Sequence, residues 1–461
     1  MVVAAIFEFA GAVLLGSQVS ETIRKGISNP KCFTRMPAVL MWGMCSVNLA
    51  VGIWLLVATS LELPVSTTHS AVGGVIGFTL VAVGSNCVVW NAPSDEFPYV
   101  TGVASIVLSW VFSPVLSGIL SALIFWITRT FVLRAPNSTE RAIVTYPILI
   151  AFCVAMIVAY VVAKGTKSVN DLWGFDAEGE DLWLLCVFSV GSGLVAAGLS
   201  LFLKPTIRRA VEAEPEEGEA TKLDLSVDMH TPAAEQKKGV LGWIQRKLDT
   251  DVDQFVADDA RSAAIHALAE KFPPKTEVVF KFMQVMTACF DSFAHGSNDV
   301  ANAMGPFAAV YYIYAHNGDY GKKNVVGYDM YWILVLGGAG IVLGLGTYGY
   351  KIMFALGLKL AKITPSRGFG IELGSMFVVL LGSRFGIPLS TTHCQVGSTI
   401  GVSLCEGRAS STNWVIVGKC VIGWIATMIV AGGLTATIFS IGYATIDFDS
   451  SQKLSKGWQG F

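Results

Sequence analysis

A short polar run interrupts an apolar stretch of this chain at residues 293–302, which read FAHGSNDVAN. Asn298 and Asn302 lie four residues apart and would share one face of a helix. Asp299 adds a negative charge and carboxylate oxygens, which suit a hard cation. The glycine after His295 would permit a break in the helix, which at membrane depth is tolerated where the backbone lines a cavity. We therefore predict a cation site at Asn298, Asp299 and Asn302; the alternative is a polar cluster that only holds helices together.

Two further segments carry three hydroxyl side chains in a row behind a proline, PVSTTH at 64–69 and PLSTTH at 388–393. Proline followed by serine and threonine is a common start of a helix. Such a helix would direct free backbone N–H groups and the positive end of its dipole at a ligand. Because two such segments lie beside apolar runs, we predict a clamp for a small tetrahedral oxyanion. Its hydroxyl groups belong to Ser66, Thr67, Thr68, Ser390, Thr391 and Thr392.

Other ionisable side chains lie in or beside apolar runs. His69 and His393 end the two hydroxyl motifs, and each is predicted to donate to an anion, to relay a proton or to pack between helices. Glu8 and Glu372 lie inside apolar spans, where an ionisable residue indicates a function by default. We predict that at least one of these glutamates belongs to a cation or proton pathway, and we include His295 among the side chains associated with transport.

Composition places these motifs in a membrane. Of 461 residues, 53% are hydrophobic and only 14% are charged, with a mean hydropathy of +0.58, which excludes an ordinary soluble protein. Several apolar runs approach or exceed the roughly 20 residues that cross a hydrocarbon core. These runs are 2–20, 38–60, 100–128, 143–163, 182–203, 331–356, 369–386 and 414–442. We predict an all-α polytopic membrane protein that is not an enzyme and does not bind nucleic acid.

The sequence contains an internal repeat, because LELPVSTTHSAVGGVIGFTL at 61–80 reappears as FGIPLSTTHCQVGSTIGVSL at 385–404. Both copies follow an apolar span and precede another, a pattern expected of secondary transporters built from structural repeats. The polar run around Asn298 has no counterpart at the same spacing, since that position falls before Met1. We therefore expect the first membrane half to be incomplete at its start.

The predicted domains are a first membrane half at 1–203, a hydrophilic linker at 204–278, a second membrane half at 279–446 and a polar tail at 447–461. The linker contains the acidic run EAEPEEGEA and a predicted amphipathic helix at 244–256. The nine cysteines form no C-x-x-C pair and lie mostly in apolar runs. We therefore expect small buried residues rather than a disulfide framework or a zinc site.

The ordered motifs together resemble the inorganic phosphate transporter (PiT) family of sodium- or proton-coupled phosphate symporters. HGSNDVANAMGP is similar to the second-half form of the family signature, and PVSTTH and PLSTTHCQVGS are similar to its paired hairpin motifs. IFEFAGAVLLGSQVSETIRKG and ITPSRGFGIELGS are further matches. The resemblance covers nearly all of both membrane halves and leaves out the linker.

The resemblance implies an architecture of two inverted halves, with re-entrant hairpins whose half-helices meet near the middle of the membrane, and a homodimer. It places Asn298, Asp299 and Asn302 in the ion and phosphate region, and the two Ser-Thr-Thr runs at phosphate-binding hairpins. Glu8 and Glu372 match glutamates associated with transport. The missing first signature would remove a second Asp-Asn pair from the central site.

Loop charges predict the orientation of the chain in the membrane. Residues 91–99 and 164–181 are acidic and predicted outside, whereas the basic stretch 129–141 and the linker are predicted in the cytoplasm. The basic stretch 24–35 would be inside by its charge, but inverted halves place it outside, which we favour. The sequon at Asn137 then lies in the cytoplasm and is predicted to carry no glycan.

Taken together, the sequence predicts secondary active transport of inorganic phosphate across the plasma membrane, coupled to sodium or a proton, with sodium favoured and no cofactor. The predicted partners are phosphate, the coupling cation, the lipid bilayer and a second copy of the chain. Transport of sulfate or another tetrahedral oxyanion is one alternative. A phosphate sensor or truncated isoform that binds without transporting is another, whereas an ion channel is disfavoured because no repeated selectivity-filter pattern is visible.

Overall fold

The computed structural model describes residues 2–95, 99–173, 182–215, 259–316, 318 and 331–445, most of them helical. The helices of the first part are α1 (Val2–Leu15), α2 (Ser17–Lys25), α3 (Pro37–Ser60), α4 (Thr67–Val83), α5 (Val103–Thr128), α6 (Ser138–Trp173), α7 (Leu182–Leu201) and α8 (Lys204–Glu212). Those of the second part are α9 (Ala260–Leu268), α10 (Pro274–Ala315), α11 (Tyr331–Thr347), α12 (Gly349–Gly357), α13 (Pro365–Arg384), α14 (Thr391–Leu404) and α15 (Trp414–Thr445). A short antiparallel hairpin pairs β1 (Ala92–Pro93) with β2 (Val100–Thr101).

Five of the described helices are long and apolar enough to cross a membrane: Pro37–Ser60, Val103–Leu133, Ser138–Val162, Trp183–Leu201 and Trp414–Thr445. Large apolar side chains such as Phe112 and Ile119 stay exposed on them, as a surface facing lipid requires. The prediction of an all-α polytopic membrane protein is therefore confirmed. Two predicted runs are each divided, 2–20 into α1 and α2 and 331–356 into α11 and α12.

Helix α10 passes through the polar run 293–302 without interruption, so the predicted break at its glycine is wrong. Gly296 instead allows α1 and α10 to pack closely. A β-carbon added at Gly296 would collide with the backbone oxygen of Glu8, and one added at Gly11 would collide with that of Phe293. The glycine is needed for close packing between helices, and the backbone polar groups of the run stay satisfied within α10.

The two hydroxyl motifs begin helices, as predicted. Helix α4 begins at Thr67 behind Ser66, whose side chain accepts a hydrogen bond from the backbone N–H of His69. Helix α14 begins at Thr391 behind Ser390, whose side chain accepts a hydrogen bond from the backbone N–H of His393. At 17 and 14 residues, both are shorter than the roughly 20 residues that span a bilayer. The residues at their starts, Ser66 and Ser390, are buried, so both helices begin inside the protein, and we call them half-helices.

One end of the molecule is fixed by a disulfide between Cys32 and Cys87, so the expectation that no cysteine pairs is wrong. Both residues lie in loops just outside apolar runs. The backbone N–H of Asn29 also donates to the carbonyl oxygen of Cys87, and that of Val89 donates to Ile27. The loop after α2 therefore lies beside the loop after α4. Cys45 and Cys186 also depart from expectation, because both are exposed.

The C-terminal end of α5, opposite to the end near the disulfide, carries a cluster of ion pairs. This cluster holds the end of the linker. Glu270 accepts hydrogen bonds from Arg129 and Arg134, and the buried Arg367 pairs with Glu406 and donates to the backbone oxygen of Glu270. The chain between α9 and α10 is thus fastened to the membrane part. The predicted amphipathic helix at 244–256 and the polar tail at 447–461 lie outside the described residues.

Candidate functional site

Asp299 is the point where α10 meets the tips of both half-helices. Its Oδ2 atom accepts a hydrogen bond from the hydroxyl of Thr67 at 3.0 Å and from that of Thr391 at 3.3 Å. His295, one turn earlier on α10, places its Nε2 atom 3.1 Å from the same oxygen. The structure therefore brings the predicted cation site and the predicted oxyanion clamp together at one carboxylate.

The two asparagines use their amide N–H groups to hold this arrangement. Asn298 donates to the hydroxyl of Ser383 at 2.9 Å, and Asn302 donates to the hydroxyl of Thr67 at 3.0 Å. Their carbonyl oxygens and the Oδ1 atom of Asp299 are buried and have no hydrogen-bond partner among the described residues. Buried acceptor oxygens without partners are rare. One carboxylate and two amide oxygens are the ligands that a hard cation such as sodium takes.

The two half-helix tips contact each other as well as Asp299. The hydroxyl of Thr68 donates to the backbone oxygen of Leu389, which lies just before the second tip, at 2.9 Å. Ser66 and Ser390 cap their own helices, while Thr392 lines an adjoining cavity. Both helix N-termini, with their backbone N–H groups, are thus directed towards the same region.

That cavity has a volume of about 260 Å³. Its polar lining residues are Glu8, Asp291, Ser292, His295, Ser375, Thr391, Thr392 and Gln395. His295 joins the cavity to the central site, because its Nδ1 atom lies 2.8 Å from Glu8 while its Nε2 atom faces Asp299. The prediction that Glu8 lies inside the membrane part is matched by its burial.

Glu372 lies beyond the cavity wall and is bound by other residues. Its side chain accepts hydrogen bonds from Thr287 at 2.6 Å and Gln284 at 3.4 Å. Asp291 and Glu8 line the same cavity. The carboxylates of Glu8 and Asp299 are connected through the ring of His295.

His69 and His393 lie elsewhere. Their rings stack between Trp110 and Trp424. Of the roles predicted for them, packing between helices matches this position.

Sequence reasoning missed Asp291, Ser383 and Gln395. Asp291 carried a readable signal, because it is an ionisable residue in an otherwise apolar run. Ser383 and Gln395 gave no signal in the sequence, since neutral polar residues are common in such helices.

Comparison with known proteins shows the family of this chain. The model of the phosphate transporter family matches residues 1–435. The chain belongs to that family. Members of this family are transporters and not enzymes, and the resemblance stated from the motifs is confirmed.

Relatives of this phosphate transporter family member match over most of their length. A phosphate-repressible phosphate permease of Neurospora crassa is 33% identical, with 96% of this chain and 90% of the permease covered. A sodium-dependent phosphate transporter of Felis catus is 26% identical, with 95% and 89% covered. A solved structure described as the sodium-dependent phosphate transporter superposes with a TM-score of 0.72 at 30% identity, covering 96% of this chain and 90% of that one. The fold of the family is therefore present in this chain.

Proposed function

We propose that this chain carries inorganic phosphate across a membrane together with a cation, and that the cation is sodium. The observation that carries the proposal is the meeting of two half-helix N-termini at Asp299, together with buried oxygens of Asn298, Asp299 and Asn302 that have no hydrogen-bond partner among the described residues. The first feature suits a tetrahedral oxyanion and the second suits a small hard cation.

Phosphate is held in this proposal by the first turns of α4 and α14. Free backbone N–H groups and the positive dipole ends of both helices attract an anion. Hydroxyl groups of Thr67, Thr68, Thr391 and Thr392 lie in the same two turns. The hydroxyls of Thr67 and Thr391 donate to Asp299 and that of Thr68 donates to Leu389, so in this proposal they turn to phosphate when it binds. The relatives named as phosphate permeases and phosphate transporters favour phosphate over sulfate as the anion.

The cation is held by the oxygens of Asn298, Asp299 and Asn302, and electrostatics explains why it accompanies phosphate. Two like unit charges 4 Å apart repel by roughly 1 kcal/mol in bulk water and by about 4 kcal/mol at an effective dielectric constant of 20. Phosphate at the half-helix tips would therefore be repelled by Asp299 unless a cation neutralised the carboxylate. Sodium is preferred over a proton because one carboxylate and two amide oxygens, each without a hydrogen-bond partner among the described residues, suit a small hard cation, and because relatives are named as sodium-dependent.

The same arrangement leaves a second candidate open, a phosphate sensor that binds phosphate without moving it. The anchoring of the linker through Glu270 favours this candidate specifically, because it connects the membrane part to a large hydrophilic segment. Cation-coupled transport is proposed as the primary function in the plasma membrane, with the linker in the cytoplasm and the chain as a homodimer.

Uptake of radioactive phosphate into phosphate-transport-deficient cells tests the proposal. We expect uptake to fall when choline replaces sodium and to be suppressed by excess unlabelled phosphate. The same concentration of sulfate should leave uptake unchanged. Suppression by sulfate would indicate a general oxyanion carrier. Binding of phosphate by the purified protein without any uptake would support the sensor and contradict the transport proposal.

A further inference from the structure

Four aromatic rings, three of them buried, form a continuous stack between the two half-helices. The order is Trp110, His69, His393 and Trp424. Successive ring centroids are 3.6, 4.6 and 3.6 Å apart, at interplanar angles of 22°, 40° and 33°. The two histidines thus meet at the centre of the stack, each covered on its outer face by a tryptophan.

Each half-helix is packed tightly along one long helix. A β-carbon at Gly77 of α4 would collide with the backbone oxygen of Gly432 of α15, and one at Gly401 of α14 would collide with that of Gly118 of α5. The pairs α4–α15 and α5–α14 are therefore two closely packed units.

The ring stack crosses between these two units. Trp110 belongs to α5 but stacks on His69 of α4, and Trp424 belongs to α15 but stacks on His393 of α14. Along the stack the rings come alternately from one unit and from the other. Neither unit can slide past the other without separating at least one pair of stacked rings.

One histidine ring nitrogen makes a hydrogen bond within its own unit. The Nδ1 atom of His393 lies 3.0 Å from the backbone oxygen of Trp110. A carbonyl oxygen only accepts, so this nitrogen carries the hydrogen and donates. The Nε2 atom of His393 and the Nδ1 atom of His69 are buried without a hydrogen-bond partner among the described residues. The ring faces therefore make the main contacts of these side chains.

We infer that His69 and His393 are positioning residues, whose interleaved stack holds the two half-helix tips in the register that lets Thr67 and Thr391 both reach Asp299. The inference rests on the proposed function. Each histidine lies two residues after one of these threonines, in the same helical turn. Loss of the ring lets that turn shift and separates the hydroxyls from their shared carboxylate.

A matched pair of substitutions at each histidine tests the inference. Phenylalanine keeps the ring and removes the nitrogens, whereas glutamine keeps polar atoms and removes the ring. We expect His69→Gln and His393→Gln to raise the Michaelis constant for phosphate by about three- to tenfold with the maximal rate per surface molecule little changed. His69→Phe and His393→Phe should stay within about twofold of the wild type. Because the rings act as one unit, the double glutamine variant should be no worse than the poorer single variant.

The controls separate this inference from the proposed function. His316→Ala changes an exposed histidine stacked on Tyr312 at the end of α10 and should transport like the wild type. Absence of phosphate uptake by the wild type would contradict the proposed function. In that event the inference is tested by thermal midpoints, measured on the purified variants His69→Gln, Trp110→Leu and the double variant. If the losses in thermal midpoint are additive, the rings do not act as one unit and the inference is wrong.

Three results would overturn the inference when the wild type transports. Phenylalanine variants as impaired as the glutamine variants would show that a ring nitrogen is required. An unchanged Michaelis constant in both glutamine variants would show that the tips hold their register without the stack. A fall in maximal rate alone, with correct surface amounts, would place the histidines in the translocation step instead.

Discussion

At the scale of single residues, Asp299 combines two tasks. Its Oδ2 atom accepts hydrogen bonds from the hydroxyls of both half-helix tips, while its Oδ1 atom, like the amide oxygens of Asn298 and Asn302, is buried without a hydrogen-bond partner among the described residues. In the proposed function, the first task would place the anion site and the second would supply charge to a cation. A change at this one carboxyl group should therefore affect both ligands.

Replacing Asp299 by asparagine keeps the size of the side chain and removes its charge. We expect phosphate uptake to fall to the background level, because the proposed cation site loses its carboxylate charge and hydrogen bonds to a charged group are worth about 1.5–3 kcal/mol each. Surface biotinylation should show normal amounts of protein. Glu140→Gln, at an exposed carboxylate paired with Arg208, is the matched control; wild-type uptake by Asp299→Asn would remove Asp299 from the mechanism.

Replacing Thr391 and Thr392 by valine keeps their shape and deletes two hydroxyl donors at the second tip. We expect the Michaelis constant for phosphate to rise by at least about tenfold, since each lost hydrogen bond to a charged group has about that effect. Thr437→Val is the control, because that exposed hydroxyl only bonds to its own helix. An unchanged constant in the double valine variant would count against a clamp made by the two tips.

The residue types at this site could be predicted from the sequence, but several of their partners could not. An aspartate, two asparagines and paired hydroxyl motifs in apolar surroundings indicate ion and oxyanion chemistry by type and spacing alone. The contact of His295 with Glu8 joins residues that are 287 positions apart in the chain. No local pattern encodes such a contact, because it depends on how α1 packs against α10.

At the scale of elements, the starts of the half-helices could be predicted from the sequence, whereas the continuity of α10 could not. Proline, serine and threonine at 64–68 and 388–392 mark helix starts through local chemistry, and both half-helices begin there. A glycine in a polar run fits a helix break and a close helix contact equally well. Only the neighbouring helix decides between them, and here Glu8 of α1 occupies the space beside Gly296.

Gly296→Ala tests this close contact. The added methyl group would collide with the backbone oxygen of Glu8 and push α1 away from α10. We expect a loss of about 1–3 kcal/mol in the free energy of unfolding, measured as a lower thermal midpoint of the purified protein. Gly340→Ala in α11 has open space around it and should leave the midpoint unchanged or raise it. Equal midpoints for the two variants would contradict the close packing of α1 on α10.

At the scale of the whole molecule, the two ends of α5 define two faces. One face carries the Cys32–Cys87 disulfide, and the other carries the ion pairs around Glu270. Disulfides persist in oxidising compartments and are rare in the cytosol. The disulfide face is therefore expected outside, which agrees with the outward orientation predicted for residues 91–99.

Labelling of intact cells tests that orientation. After treatment with a reductant that does not cross membranes, a membrane-impermeant maleimide should label Cys32 and Cys87, which are both partly exposed. The Cys32→Ser, Cys87→Ser double variant measures labelling of the other cysteines. Specific labelling that needs permeabilised cells would place this face in the cytoplasm and reverse the predicted topology.

The most direct test of phosphate and cation binding at one shared site is paired flux in proteoliposomes that contain only the purified protein. We expect inward phosphate flux to require external sodium, radioactive sodium flux to require external phosphate, and Asp299→Asn to lack both. Phosphate flux that is equally fast without sodium, or sodium flux that ignores phosphate, would contradict a shared site at Asp299.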